Sequence, residues 1–304
     1  MLKSNLSYIS LLIAYRSPRD IELPAFQGST IRGVFGKALK SAFCVMHHRE
    51  CEKCIVKDSC GYFDIFESID GELAMKSKGM EKKPHPYILI PPDKNIYLKN
   101  EIFYFRMTIL GENLSRVPYV LYAFQKMGEL GFGKSREKLE LFCVKDSKSG
   151  KYILNDGKFL KENLKIYTLQ ENTHPSVLQE SMLLKWMTPV KIVRDGVVLR
   201  TLDSESFRRA IYRRFTMVLK IYGNLDESDL EDLSHLEISP LESEFKEWKR
   251  YSNRQKKSLK MEGISGILRV FPKTHKNMEI LSALCVLHIG KATAFGQGRF
   301  RIRG

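Results

Sequence analysis

No stretch of the chain is apolar over the roughly 20 residues that a bilayer-spanning helix needs. The first residues, which carry Lys3 and Asn5, lack the uninterrupted apolar core and cleavage site of a secretory signal, so a cytoplasmic protein without a membrane partner is expected. Also missing are a P-loop, a dinucleotide fingerprint, a Ser-centred nucleophile elbow and a paired-carboxylate motif, which removes the common nucleotide-binding, hydrolase and glycosidase classes. Carboxylates are the scarce charge. The 35 Asp and Glu stand against 50 Lys and Arg, leaving +15, and no acidic cluster stands out that would suit two-metal nuclease chemistry.

That excess of cations points to an anionic partner such as nucleic acid or an acidic membrane surface, the alternative being a merely soluble basic protein. It is also segregated: Lys246 to Lys276 holds ten Lys or Arg and two Glu, whereas Asp226 to Glu244 is acidic, so one basic face is expected. At 304 residues and 43% hydrophobic content the chain can bury a core in each of two domains.

The most informative stretch is His288 to Phe300, in which Gly290, Gly296 and Gly298 alternate with Lys291 and Arg299 after an apolar helical pattern. Glycines let a backbone approach a phosphate closely, and consecutive N–H groups in such a loop can turn toward an anion. A weaker copy runs from Gly128 to Arg136, again after an apolar helix and before a strand, so the chain reads as duplicated.

Periodicity supports the duplication. Leu6 to Ala14 reads as a strand, and a helix from Thr30 puts Ile31, Val34, Phe35, Ala38, Leu39, Ala42 and Phe43 on one face and Arg32, Lys37 and Lys40 on the other. One or two strands over Ile96 to Leu110, a helix over Val117 to Met127 and a strand over Leu139 to Val144 complete a first set. Strands in Met182 to Val193, a helix over Phe207 to Tyr222, a strand over Gly263 to Phe271, a helix over Met278 to Leu287 and a strand over Gly298 to Arg303 form the second. The order fits an α+β protein of two tandem ferredoxin-like βαββαβ domains, residues 1–170 with a Cys-rich insertion and residues 171–304 with the glycine-rich loop. Asp70 to Pro92, rich in Lys, Gly and Pro, reads as a mobile insertion.

Cys44, Cys51, Cys54 and Cys60 crowd into a polar loop after the first helix, whereas Cys143 and Cys285 sit alone in apolar segments. Four thiolates so close in sequence suit a tetrahedral structural zinc, which the absence of any other electron-transfer signal favours over an iron–sulfur cluster. The alternative is four reduced thiols. His47 and His48 lie inside this cluster and can replace a cysteine as ligand, or act as acid and base on a ribose 2′-OH and a leaving oxygen. His288 is a third catalytic candidate, against the plainer reading of a helix-end residue packed on the glycine loop. Trp248 to Lys257 mixes cations with aromatics and amides, which suits RNA as well as a solvated basic loop. Arg208, Arg209, Arg213 and Arg214 form a second basic set.

Several of these elements together are familiar: the loop at 290–298, Arg250 to Gln255 followed by Gly263 and Gly266, Thr188-Pro189, Arg194-Asp195-Gly196, and Arg32-Gly33 ahead of the cysteines. In this combination the chain resembles the CRISPR-associated precursor-RNA processing endoribonucleases of the repeat-associated mysterious protein superfamily. The resemblance implies two ferredoxin-like domains binding CRISPR repeat RNA across a positive cleft, and a cleavage that needs no metal cofactor. In that reaction a 2′-OH attacks the adjacent phosphate, leaving a 2′,3′-cyclic phosphate and a 5′-OH. The family's histidine near the end of the first helix maps onto His47 or His48. Lys37, Lys40 or Lys291 would then stabilise charge on the phosphate, and Arg32, Arg250, Arg254, Lys256, Lys257 and Arg299 would position the RNA. A monomer or homodimer, alone or with CRISPR effector subunits, is expected. Two other readings remain: a non-catalytic guide-RNA-binding subunit of an effector complex, and a zinc-stabilised binder of generic nucleic acid.

Overall fold

The computed structural model describes residues 2–46, 50–67, 83–172, 177–252 and 257–303. The chain divides into two compact units, Tyr8–Ile166 and Met1–Ser7 with Tyr167–Gly304. Both are mixed α/β with antiparallel sheets.

In the first unit the sheet is built from β1 (Ser7–Arg16), β2 (Tyr87–Ile90), β3 (Ile102–Leu110) and β4 (Glu140–Asp146), in the order β2-β3-β1-β4, and continues into Tyr152–Asn155 and Lys158–Phe159. Helix α1 (Gly28–Phe43) follows β1, helix α2 (Val117–Leu130) follows β3, and the two helices pack on each other. β1 is apolar because it lies between two partners and under the helices; Ile9, Leu11, Ile13 and Tyr15 are all buried. On β3, Phe103, Phe105, Met107 and Ile109 face inward while Tyr104 is exposed, the alternation that a half-buried strand requires. The core is aromatic: Tyr15 meets Phe132 edge-on at 5.2 Å, Phe35 meets Tyr87 at 5.4 Å, and the Tyr15 hydroxyl donates to the Phe124 carbonyl at 2.7 Å.

One expectation fails here. Asp70 to Pro92 is not wholly an insertion, because Tyr87–Ile90 is a buried strand paired in register with Arg106 to Ile109. Four residues behind Pro84 and Pro86 are too few to show a period.

The second unit repeats the strand, helix, strand, strand, helix, strand order, with β5 (Met182–Trp186), α3 (Ser204–Tyr222), β6 (Glu237–Ser252), β7 (Lys257–Phe271), α4 (His275–Leu287) and β8 (Phe300–Arg303). Its sheet order, β6-β7-β5-β8, matches that of the first four strands of the other unit. Asp203 caps α3 by accepting from the Ser206 N–H at 2.7 Å, and Thr274 caps α4 through the Asn277 N–H. The Arg194-Asp195-Gly196 triplet forms a tight hairpin between Val193–Arg194 and Val197–Val198, with both Asp195 and Gly196 at positive φ.

β6 was missed from sequence for a physical reason. Its pairing with β7 runs from Glu237↔Phe271 to Ser252↔Lys257, but β5 pairs β7 only over Ile267–Val270, so most of the hairpin stands clear of the sheet. β6 is exposed or half-buried along its described length, so it needs no apolar side and carries charges throughout, whereas β7 buries Met261 and Ile264. A register shift at Pro240/Glu242 marks its edge position. The basic stretch after Lys246 is therefore largely strand.

The N-terminal residues belong to this unit through a buried carboxylate. Asp229, fully buried, accepts from the backbone N–H of Ser4 at 2.7 Å and of Lys3, and pairs with Lys276 at 3.1 Å. Burial pushes its carboxyl up, but the hydrogen bonds from Ser4, Lys3 and Lys276 more than offset this and hold it below the usual range. We expect Asp229→Ala to lower the unfolding free energy of this unit by about 2 kcal/mol or more, since it orphans buried amides and a cation. An unchanged urea midpoint would contradict this anchoring.

Candidate nucleic-acid interface

The glycine-rich loop begins where α4 ends. The Leu287 carbonyl, one of the acceptors a helix leaves open at its C-terminus, receives both Nε and Nη2 of Arg214, at 3.1 and 2.8 Å. Arg214 comes from α3 and is buried; burial brings its guanidinium down to about 10. It therefore drops out of the basic surface set expected on that helix. Of the others, Arg208 donates to the Leu236 carbonyl and Arg209 pairs with Glu205.

His288 follows at φ 57, ψ 168, backbone space that non-glycine residues avoid at a cost of about 1–3 kcal/mol. Its side chain is fully buried. Nδ1 lies 3.3 Å from the Gln297 carbonyl, and among the described residues Nε2 has no hydrogen-bond partner. Burial, then the charges of Arg214 and Arg299, lower its pKa to about 3, so the imidazole is neutral and Nδ1–H is the donor. Enclosed in this way, His288 holds the loop and is not presented to a polynucleotide.

The loop is clamped along its length. Ile289 N–H donates to the Gly298 carbonyl, Gly298 N–H to Pro189, Lys291 N–H to Lys191, and Arg299 N–H to the Thr188 hydroxyl. A Cβ on Gly298, at φ 74, would lie 1.8 Å from the Ile289 carbonyl oxygen, so only glycine fits. Gln297 Nε2 donates to the Glu262 carbonyl at 3.0 Å, tying the loop to β7, and Val190 exchanges backbone hydrogen bonds with Ile264. Thr188-Pro189, Gly263 and the glycine loop, far apart in sequence, thus meet at one place.

This geometry changes the expected use of the loop's amides. The N–H groups of Ile289, Lys291, Phe295, Gly296, Gln297 and Gly298 all donate to main-chain carbonyls, so they are not aimed outward at an anion. These bonds hold the loop, and Lys291 and Arg299 are half-buried on it. The Arg250 guanidinium lies over the Phe295 ring at 4.7 Å, bringing β6 onto the loop. Beside it Glu262 ties Lys191 at 3.1 Å and Lys260 at 3.3 Å, and Glu247 ties Lys260 at 2.8 Å and Arg200 at 3.3 Å. Arg254 and Lys256 lie outside the described residues, as does the side chain of Lys257.

In the first unit α1 presents a second group of polar side chains. Arg32 Nη2 lies 3.1 Å from His85 Nε2, and its guanidinium stands 4.4 Å over the Phe66 ring. Phe66 can come this close because Gly36 has no Cβ; one added there would meet the ring at 2.2 Å. His85 stacks on Tyr87 at 5.4 Å, whose phenol burial pushes up against the opposing effect of Arg32. Tyr62 donates to Glu67 at 3.0 Å, and the Lys40 ammonium stands 5.6 Å from the Tyr62 ring. Lys37 is exposed. His47 and His48 lie outside the described residues. His85 and Tyr87 escape the sequence reading because they fall in the segment read as an insertion, where the apolar Tyr87-Ile-Leu-Ile run was the signal available; Tyr62 lies in the cysteine loop, whose sequence shows no period.

The four clustered cysteines line one cavity of about 240 Å³ beside the end of α1, together with Phe43, Val56, Lys57 and Tyr62. None of the four is joined in a disulfide, and burial pushes Cys51 up against the nearby Lys40. Among the described residues no three His, Cys, Asp or Glu side chains stand in a ready metal-binding group. No helix among them is long and apolar enough to cross a membrane.

Comparison with known proteins adds a family and a fold. The family model AF_1859_N, an N-terminal domain, matches residues 6–168, more than half the chain, and the chain belongs to that family. An uncharacterized protein of Archaeoglobus fulgidus is 22% identical over 286 residues, covering 92% of this chain and 93% of its own. Among solved structures, a Cas6 product complex aligns with TM-score 0.58 and 14% identity over 97% of this chain and 100% of that one. Cas6 of Thermus thermophilus aligns with TM-score 0.55 and 12% identity over 98% and 99%. A chain of a partial Cas6-RT-Cas1–Cas2 complex aligns with TM-score 0.60 and 13% identity over 99% of this chain, which spans only 47% of that polypeptide. The fold is Cas6-like.

The neutral state of His288 generates a prediction. The unfolded imidazole takes up a proton below about 6.5, whereas the folded one stays neutral down to about 3. Its contribution to stability is therefore full above the unfolded value and is lost as the pH falls from about 6.5 toward 3. Between about pH 7 and about pH 5 the wild type should lose about 2 kcal/mol more unfolding free energy than His288→Asn. Parallel losses in the two proteins would show that His288 is not held neutral.

Proposed function

We propose that the chain is an endoribonuclease that cuts CRISPR precursor RNA within its repeats, on two tandem ferredoxin-like domains. The observation that carries this reading is the Cas6-like fold along nearly the whole chain, with 97% of it aligned to a Cas6 product complex. The meeting of Thr188-Pro189, Gly263 and the glycine loop, with Arg250 stacked on Phe295, supports it. The ribose 2′-OH attacks the adjacent phosphorus and the 5′ oxygen leaves, giving a cyclic phosphate and a 5′-OH. His47 or His48 moves the proton, while Lys37, Lys40 or Lys291 offsets phosphate charge and Arg250 and Arg299 hold the backbone. Other Cas proteins are partners in this reading, and the site of action is the cytoplasm.

A second reading, a guide-RNA-binding subunit without catalysis, gains from the burial of His288, which leaves only the adjacent pair among the original catalytic candidates. One experiment separates the two. Incubated with repeat RNA in EDTA, the protein should yield cyclic-phosphate and 5′-OH ends at one site, and a single 2′-deoxy substitution there should abolish cleavage. Replacing His47 and His48 together by Ala should slow single-turnover cleavage by about 10²-fold or more with little change in affinity. Tight binding without product would establish the second reading, and cleavage of the deoxy substrate would overturn the mechanism.

A further inference from the structure

The described part of the segment from Cys44 to Cys60 lacks a core of its own. It makes two single-turn 3₁₀ helices, Cys51–Lys53 and Lys57–Ser59, closed by the Cys54 N–H on the Cys51 carbonyl and the Cys60 N–H on the Lys57 carbonyl. Neither turn contains a buried residue, and Val45 and Ile55 are 77% and 85% exposed. Backbone turns of this size do not hold a loop by themselves, since each fixes several dihedral angles for one hydrogen bond. The segment does bring together its four thiols, each half-buried, around one cavity.

We propose that Cys44, Cys51, Cys54 and Cys60 bind one structural zinc ion, which closes this cavity and holds the loop on the end of α1. Cys44 lies before the first turn, Cys51 at its start, Cys54 at its end and Cys60 after the second; among the described residues the four do not stand in a ready metal-binding group, so binding requires their side chains to turn inward. On binding, each thiol gives its proton to solvent and its sulfur to the metal. The resulting site carries two negative charges. Lys40, hydrogen-bonded to Cys51, and Lys57, in the cavity wall, are the cations placed to offset them. An all-sulfur tetrahedral set with no open position is the structural type of zinc centre. The zinc takes no part in the cleavage proposed above, and the two claims stand or fall separately.

The test is elemental analysis of the full chain purified without chelator, with the melting temperature measured alongside. About one zinc per chain is expected, lost in Cys54→Ser and Cys60→Ser and retained in Cys143→Ser, whose thiol lies in β4. Cobalt(II) added to chelated protein should give the intense thiolate-to-cobalt charge-transfer band and tetrahedral d–d bands. Chelation should open residues 44–60 to protease and lower the melting temperature, and zinc should reverse both. This wild-type comparison remains decisive if a serine variant fails to fold. Metal-free protein that neither gains stability with zinc nor gives the cobalt spectrum would overturn the proposal. A disulfide between these cysteines in the fresh protein, or stoichiometric iron with inorganic sulfide, would also overturn it.

Discussion

The hydrogen bonds from Arg214 to the Leu287 carbonyl are the constraint on which the second unit's architecture turns. A guanidinium is costly to bury, and it is tolerated here because it satisfies an acceptor that the end of α4 would leave open in the interior. Burial, then the charges of Arg214 and Arg299, keep the His288 imidazole neutral, and a neutral imidazole can occupy the interior and donate to Gln297. Gln297 in turn reaches β7. Charge, protonation state and loop conformation are one linked arrangement, with Lys291, Arg299 and Arg250 half-buried at the loop.

Much of this fold was legible because burial leaves a period. β1, α1, α2, α3 and α4 each face a core, and each shows the expected spacing of apolar residues. β6 was not legible because an edge strand that buries none of its described side chains imposes no alternation. β2 was hidden by its length. At the site, the individual motifs could be read, but their meeting could not, since Thr188, Gly263 and Gly298 are joined by tertiary contacts alone. A signal for Arg214 was present: it lies on the same helical stripe as Phe207, Ile211 and Val218, so a cation there had to be buried with a partner. Glycines permit amides to face outward, but six of this loop's amides donate to main-chain carbonyls, those of Lys291 and Gly298 to Lys191 and Pro189 outside the loop.

The first unit combines two chemistries on one helix. Arg32 stands with His85 and the aromatic rings of Phe66 and Tyr87, while Lys40, two turns further on, reaches both Tyr62 and Cys51. A structural metal at the cysteines would therefore bear on the position of a cation assigned to the phosphate, without entering the reaction.

The central claim is that the clamped loop and the adjoining hairpin form the RNA-binding face. Photocrosslinking of repeat RNA carrying single 4-thiouridines, followed by mass spectrometry of the linked peptides, tests it most directly. The account predicts crosslinks within residues 288–300 and in the hairpin from Lys246 to Lys260, competed by unlabelled repeat RNA. Specific crosslinks confined to other surfaces, with these two segments unlabelled at saturating RNA, would contradict it.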